Sequence, residues 1–211
     1  MKITIHQPEH WPYEGFFQKV EASDFLVILD NCKFKKNNFQ NRNRFKPSNG
    51  KEEWVTVPVE KAATSKRVKD VKVSGDPNWR RKVISKLKHH TNVDFTDVYQ
   101  SESLLEINMT TILLGMALIG LQRPFEFAST IVPKGKGSAY LAAIVRELGA
   151  TGYISGPSGH GYLDKSHFKG IDLEFFSPKV DHHYSVLQRL VDAEQPPLDP
   201  QTSPVSTAGL H

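Results

Sequence analysis

The chain has 211 residues, with 27 Lys and Arg against 23 Asp and Glu, for a formal net charge of +4. Its 38% hydrophobic and 24% charged content excludes a disordered or low-complexity chain, and its length predicts one α/β domain over residues 1–194. A lone cysteine, Cys32, excludes a disulfide framework and a cysteine-built zinc site, and fits a reducing compartment. The mild basicity leaves a small anionic ligand, a nucleic acid or an acidic membrane face all open.

From the start, KITI (2–5) reads as a strand and Pro12 to Val20 as a helix with proline in its first turn. No basic, apolar leader is predicted. FLVILD (25–30) is an apolar run ending in a carboxylate, the pattern of a parallel strand buried on both faces. The polar stretch 31–50 reads as a long loop or β-excursion, and EWVTVPVE (53–60) as a strand whose Pro58 marks an edge or bulge. DPNWRRKVISKLKHH (76–90) predicts a helix capped by Asp76, with Trp79, Val83, Ile84 and Leu87 on one face.

A longer helix is predicted from about Ser101 to Gly120. Its apolar part, Met109 to Leu121, is only about a dozen residues against the roughly 20 a membrane span needs, so it reads as a buried helix. FEFASTIV (125–132) reads as a strand, KGKGSAYLAAIVRELGA as a loop and helix stopped by Gly149, and TGYISG (151–156) and IDLEFF (171–176) as strands. HHYSVLQRLVDAE closes the domain as a helix, and the Pro-, Ser- and Thr-rich residues 195–211 read as a disordered tail. The alternation predicts a mainly parallel, Rossmann-like sheet covered by helices, with a helical C-terminal part and ligands beyond the carboxyl ends of the strands.

Three strand ends then converge: His6 and Gln7, Asp30 and Asn31, and the turn from Ser155 and Gly156 through Ser158, Gly159 and His160. His6 titrates near working pH and is a candidate general base or phosphate donor; the competing reading is a capping histidine. His10 reads as an exposed loop residue. The pairs His89/His90 and His182/His183 are helical neighbours that cannot share an ion, so no metal and no cofactor is predicted. KKNNFQNRNRFK (35–46) joins Lys35, Lys36, Arg42, Arg44 and Lys46 with amides and with Phe39 and Phe45. Such a segment suits phosphates or a single-stranded nucleic acid, or is a solvated loop. PKGKGSAYL (133–141) is a weaker anion cradle that lacks Walker A spacing, and Cys32 reads as packing.

Taken together, IHQPEHWPYEGFFQKVEASDFLVILDNCKFKKNNFQNRNRFK, WVTVPV, LLEINMTTI, GATGYISGPSGHGYL and FKGIDLEFF resemble the WbqC-like family of bacterial proteins. His6-Gln7-Pro8 and Asn41-Arg42-Asn43 are the most specific parts, while His10, Tyr13 and Lys33 depart from the family pattern. The resemblance implies a cytoplasmic protein of surface-polysaccharide (O-antigen type) biosynthesis, proposed to move an acyl or amino-acyl group onto a nucleotide-linked amino sugar. In that reading His6 takes the amine proton, and Gln7 and Ser155 orient the acyl carbonyl. Lys35, Arg42, Asn43 and Arg44 hold the diphosphate, and Asn108, Gly156 and Tyr162 are further substrate contacts. The expected partners are a nucleotide-activated sugar and an acyl or amino-acyl donor. A fainter likeness is to nucleotidylyltransferases with an HxGH signature, but Tyr13, Glu14, Gly15 and Phe16 fill that slot without either histidine. The alternatives are therefore nucleotidyl transfer on a related fold and a noncatalytic nucleic-acid-binding module.

Overall fold

The structure is a computed structural model that describes residues 1–47, 50–131 and 133–193. The predicted tail at 195–211 lies outside these described residues. Five parallel strands make the central sheet: β1 (Lys2–His6), β2 (Phe25–Ile28), β5 (Phe125–Phe127), β6 (Gly152–Ser155) and β7 (Asp172–Phe175). Their spatial order is β5-β2-β1-β6-β7. β1 pairs with β2 in the register Ile3 to Phe25 and with β6 in the register Lys2 to Gly152. The sheet therefore grows leftward from β1 with the first three strands and rightward with the last two. That is the doubly wound, Rossmann-like order, and it puts a topological switch point between β1 and β6.

Period-2 alternation sorts the apolar residues onto two faces. Leu26 and Ile28 join the larger core with helices α1 (Glu14–Glu21), α2 (Asn78–Thr91) and α3 (Leu104–Leu118). Val27, Ile3 and Ile5 face the smaller core, built with α5 (Gly137–Glu147). Helix starts and stops follow local chemistry. Asp76 Oδ1 accepts from the Asn78 amide at 3.0 Å, Ser103 caps α3 by accepting from Glu106, and Gly149 ends α5 with φ +62°.

Several boundaries differ from the sequence expectation. The first helix begins after Tyr13, because Trp11 turns into the left-handed region (φ +45°) and the Pro12 carbonyl is taken by the Val186 amide at 2.8 Å. The polar excursion is partly ordered as β3 (Arg42–Phe45), which pairs antiparallel with β4 (Glu53–Thr56) in a separate hairpin that stops before Pro58. After β5 the chain turns into the short helix α4 (Ala128–Ile131) instead of continuing as a strand. Asp30 causes this: its buried carboxylate accepts from the Ser129 amide at 2.9 Å and the Ser129 hydroxyl at 2.5 Å. The closing helix, α6, spans only Gln188–Ala193, since Ser185 is held in extended form by the Arg44 carbonyl and a bridge to Tyr13. No described helix is long and apolar enough to cross a membrane.

Replacing Asp30 with Ala leaves the Ser129 amide without its acceptor, and a loss of about 1–3 kcal/mol of stability is expected, read as a lower urea midpoint at unchanged m-value.

Candidate active site at the switch point of the sheet

The carboxyl ends of β1 and β6 open into one cavity of about 250 Å³. Strand β1 delivers His6 and Gln7, α1 delivers Lys19, and β6 with its following turn delivers Ser155, Gly156, Ser158 and Tyr162. Gly159 closes this turn on Ser155: a Cβ there would lie 2.2 Å from the Ser155 hydroxyl, so only glycine lets the strand end and the turn meet. Of the predicted site residues, His6, Gln7, Ser155, Gly156 and Tyr162 are thus brought together, with Tyr162 61% exposed.

The hydrogen bonds orient the two β1 groups. The Lys35 backbone N–H, which can only donate, bonds Gln40 Oε1 at 2.7 Å, so the other end of that carboxamide is its NH2. That NH2 donates to Gln7 Oε1 at 2.7 Å, which leaves the Gln7 NH2 as the free donor. His6 Nδ1 lies 2.9 Å from the Gln7 carbonyl, an acceptor only. The neutral imidazole therefore carries its proton on Nδ1 and keeps Nε2 as a bare acceptor.

The electrostatics of the cleft follow from burial. Burial, helped by the neighbouring Lys19 ammonium, lowers His6 to about 3, so the ring is neutral at physiological pH. Glu9, 3.9 Å from His6 Nδ1, is pushed up by burial to about 7, against the pull of Lys19. Lys19 is lowered by burial to about 8, against the pull of Glu9. Its side chain is almost wholly buried, and among the described residues its ammonium makes no hydrogen bond and no ion pair within 4.0 Å. Sequence reasoning missed Lys19. The signal was its place three residues after Phe16 and four after Gly15, on the inward stripe of the first helix, where a cation is out of keeping.

The other predicted contacts lie elsewhere. Asn43 is buried and donates to the Trp11 carbonyl at 2.7 Å. Asn108 is wholly buried and donates to the carbonyls of Pro8 and Gln40. Both are built into the frame of the site, and neither lines the cavity. Arg42 and Arg44 stand on the hairpin with their guanidiniums 4.3 and 5.4 Å from the centre of the Trp54 ring, and Arg44 pairs with Glu52. Neither lines the cavity, and nor does Lys35, which is exposed. Phe45 is in the core, so of the two aromatics of this segment only Phe39 could stack on a base.

His10 is also a correction. It is fully buried, held at about 3 by that burial, and lies 3.3 Å from the Tyr99 hydroxyl, which itself accepts from the Trp11 indole at 3.0 Å. Its predicted exposure fails because the Tyr99 and Trp11 rings and Asn108 of α3 pack against it, and its backbone N–H is taken by the Phe39 carbonyl at 2.8 Å. Cys32 sits as packing, its thiol pushed up to about 12 by burial.

Comparison with known proteins adds a family. The model of the WbqC-like protein family matches residues 7–189. Over 185 residues, 82% of this chain and 79% of the relative, the chain is 26% identical to "Uncharacterized protein Rv1507c" of Mycobacterium tuberculosis (strain ATCC 25618 / H37Rv). No solved structure gives a significant match.

Because the folded Lys19 gives up its proton near pH 8 and an unfolded lysine near 10.5, the folded state is penalised below pH 8 and relieved as pH rises through that window. Lys19→Met is expected to be more stable than the parent at pH 7 by on the order of 1–3 kcal/mol, the difference shrinking toward pH 10.5 in urea titrations. An equal or lower midpoint at pH 7 would show that the ammonium is already satisfied.

Proposed function

We propose that this chain, which belongs to the WbqC-like protein family, is a transferase of surface-glycan biosynthesis that moves an acyl or amino-acyl group onto the amine of a nucleotide-linked amino sugar. The observation that carries the reading is the pairing of a bare acceptor, His6 Nε2, with an oriented donor, the Gln7 NH2, in one cavity at the switch point. Aminolysis of an acyl group needs these two functions and no covalent intermediate, because a neutral amine is a competent nucleophile.

In this mechanism the sugar amine attacks the acyl carbonyl, forming the C–N bond, while the carbonyl oxygen takes up negative charge beside the Gln7 NH2. The proton released by the amine goes to His6 Nε2, and the donor's leaving group departs with the electrons of its bond to the acyl carbon. Ser155 and the turn after it close the cavity on the reacting groups. At about 250 Å³ the enclosed volume suits one sugar ring or acyl fragment, below the roughly 300–1,000 Å³ of a full ligand pocket, so the nucleotide lies outside it. Of the basic segment, Lys35 is linked to this mouth by its backbone N–H, which bonds the Gln40 carboxamide that in turn holds Gln7.

His6→Ala is expected to lower transfer by about 10²-fold or more while nucleotide-sugar affinity, measured by calorimetry, changes little. Undiminished turnover in that variant removes His6 from the mechanism.

A further inference from the structure

We propose that the substrate fragment entering the switch-point cavity bears a carboxylate, and that this carboxylate docks on the Lys19 ammonium as its missing counter-ion. The inference deepens the acyl-transfer reading and takes from it only the identity of the site.

The geometry of Lys19 carries the proposal. The side chain leaves α1 inward, is 6% exposed, and ends near Gly156, at 4.0 Å from where a Cβ on that glycine would be. Its ammonium opens on the cavity and, among the described residues, makes no hydrogen bond and has no ion-pair partner within 4.0 Å. A cation on a largely buried side chain without a close partner is costly to the fold, and an anion arriving in the cavity would lower that cost. The neighbours suit an anion as well: the Gln7 NH2 is a free donor, and Ser158 and Tyr162 line the same cavity, whereas the Ser155 hydroxyl is spent on the Gly156 carbonyl.

The charge balance selects a carboxylate over a phosphate. Among the described residues Lys19 is the one cation in the lining, with no guanidinium fork to grip a phosphate dianion, and Glu9 sits beside it from the β1–α1 connection. A single ammonium, its charge already offset in part by Glu9, can hold a monoanionic carboxylate but not balance a dianion. The remaining ionisable groups around Lys19 are His6 on β1, neutral at working pH, Tyr13 beside Glu9, and the phenols of Tyr153 and Tyr162. This carboxylate is a recognition group and not the reacting carbonyl, because a free carboxylate has no leaving group to expel. It belongs either to an acidic sugar ring or to a second carboxyl on the acyl group. Its binding also serves the chemistry: by cancelling the Lys19 charge it lifts one of the two influences that keep His6 from accepting a proton.

The test uses the full chain at pH 7 with four probes: D-glucuronate, succinate, D-glucose and inorganic phosphate, read by thermal shift and calorimetry. Glucuronate or succinate is expected to bind and raise Tm, whereas glucose and phosphate do not; binding by glucuronate alone identifies an acidic sugar, by succinate alone an acidic acyl group. Lys19→Met should weaken the carboxylate at least tenfold with an unchanged circular dichroism spectrum. If that variant does not fold, the parent itself answers, since its affinity should fall as pH rises from 7 to 10 and Lys19 loses its proton. The proposal is overturned if neither carboxylate binds, if glucose binds as well, if phosphate alone stabilises, or if affinity persists in Lys19→Met or at pH 10. Carboxylate binding without any transfer would sink the transferase reading and keep this one; His6-dependent transfer without carboxylate binding would do the reverse.

Discussion

Asn108 is the constraint on which the site depends. Its side chain sits wholly inside the molecule on α3 and donates one bond to the Pro8 carbonyl at 3.0 Å and one to the Gln40 carbonyl at 2.7 Å. Two excursions of chain that leave the sheet separately, one after β1 and one after β2, are thereby tied to the same amide. The helix extends the hold through Thr111, whose hydroxyl accepts from the Trp11 amide and donates to the Asn108 carbonyl. Gln40, once fixed, decides which way the Gln7 side chain faces, while the Gln7 backbone carbonyl separately decides the tautomer of His6. A wholly buried amide thus helps to set which way an amide lining the cavity faces, through the two bonds its NH2 makes to Pro8 and Gln40.

The electrostatics of the cleft have a common origin. His6, Glu9 and Lys19 lie within one poorly solvated volume, and in each case burial is the largest influence, driving all three toward their neutral forms. Glu9 and Lys19 pull each other part of the way back, yet stand too far apart for an ion pair. The fold bears the cost of this arrangement, which concentrates at the switch point, where the two halves of the sheet part company.

What was legible depended on how local the cause was. The apolar run 25–30, the Asp76 turn that leads into α2, the Ser103 cap and the Gly149 stop are decided within a few residues, and most of the sheet and helices appear where periodicity puts them. FEFASTIV misleads because its last residues read as β-formers, while the carboxylate that bends Ser129 into a helix comes from Asp30, about a hundred residues earlier in the chain. His10 looks exposed beside a charged and proline-rich neighbourhood, but Tyr99 and α3 bury it. Arg42 and Asn43 look alike as polar ligand-seekers; strand alternation turns one toward Trp54 and the other into the core.

By itself the sequence determined the α/β class and put His6, Gln7, Ser155 and Gly156 together at the carboxyl ends of two strands, because hydrophobic period and strand polarity are written in short windows. Only the tertiary structure decided the rest: that Asn43 and Asn108 are framework, that the arginines belong to a hairpin outside the cavity, and that Lys19 is the buried cation within it. Those facts turn on which face of an element is covered and by what, and covering is a property of residues far apart in the chain that meet only when it folds.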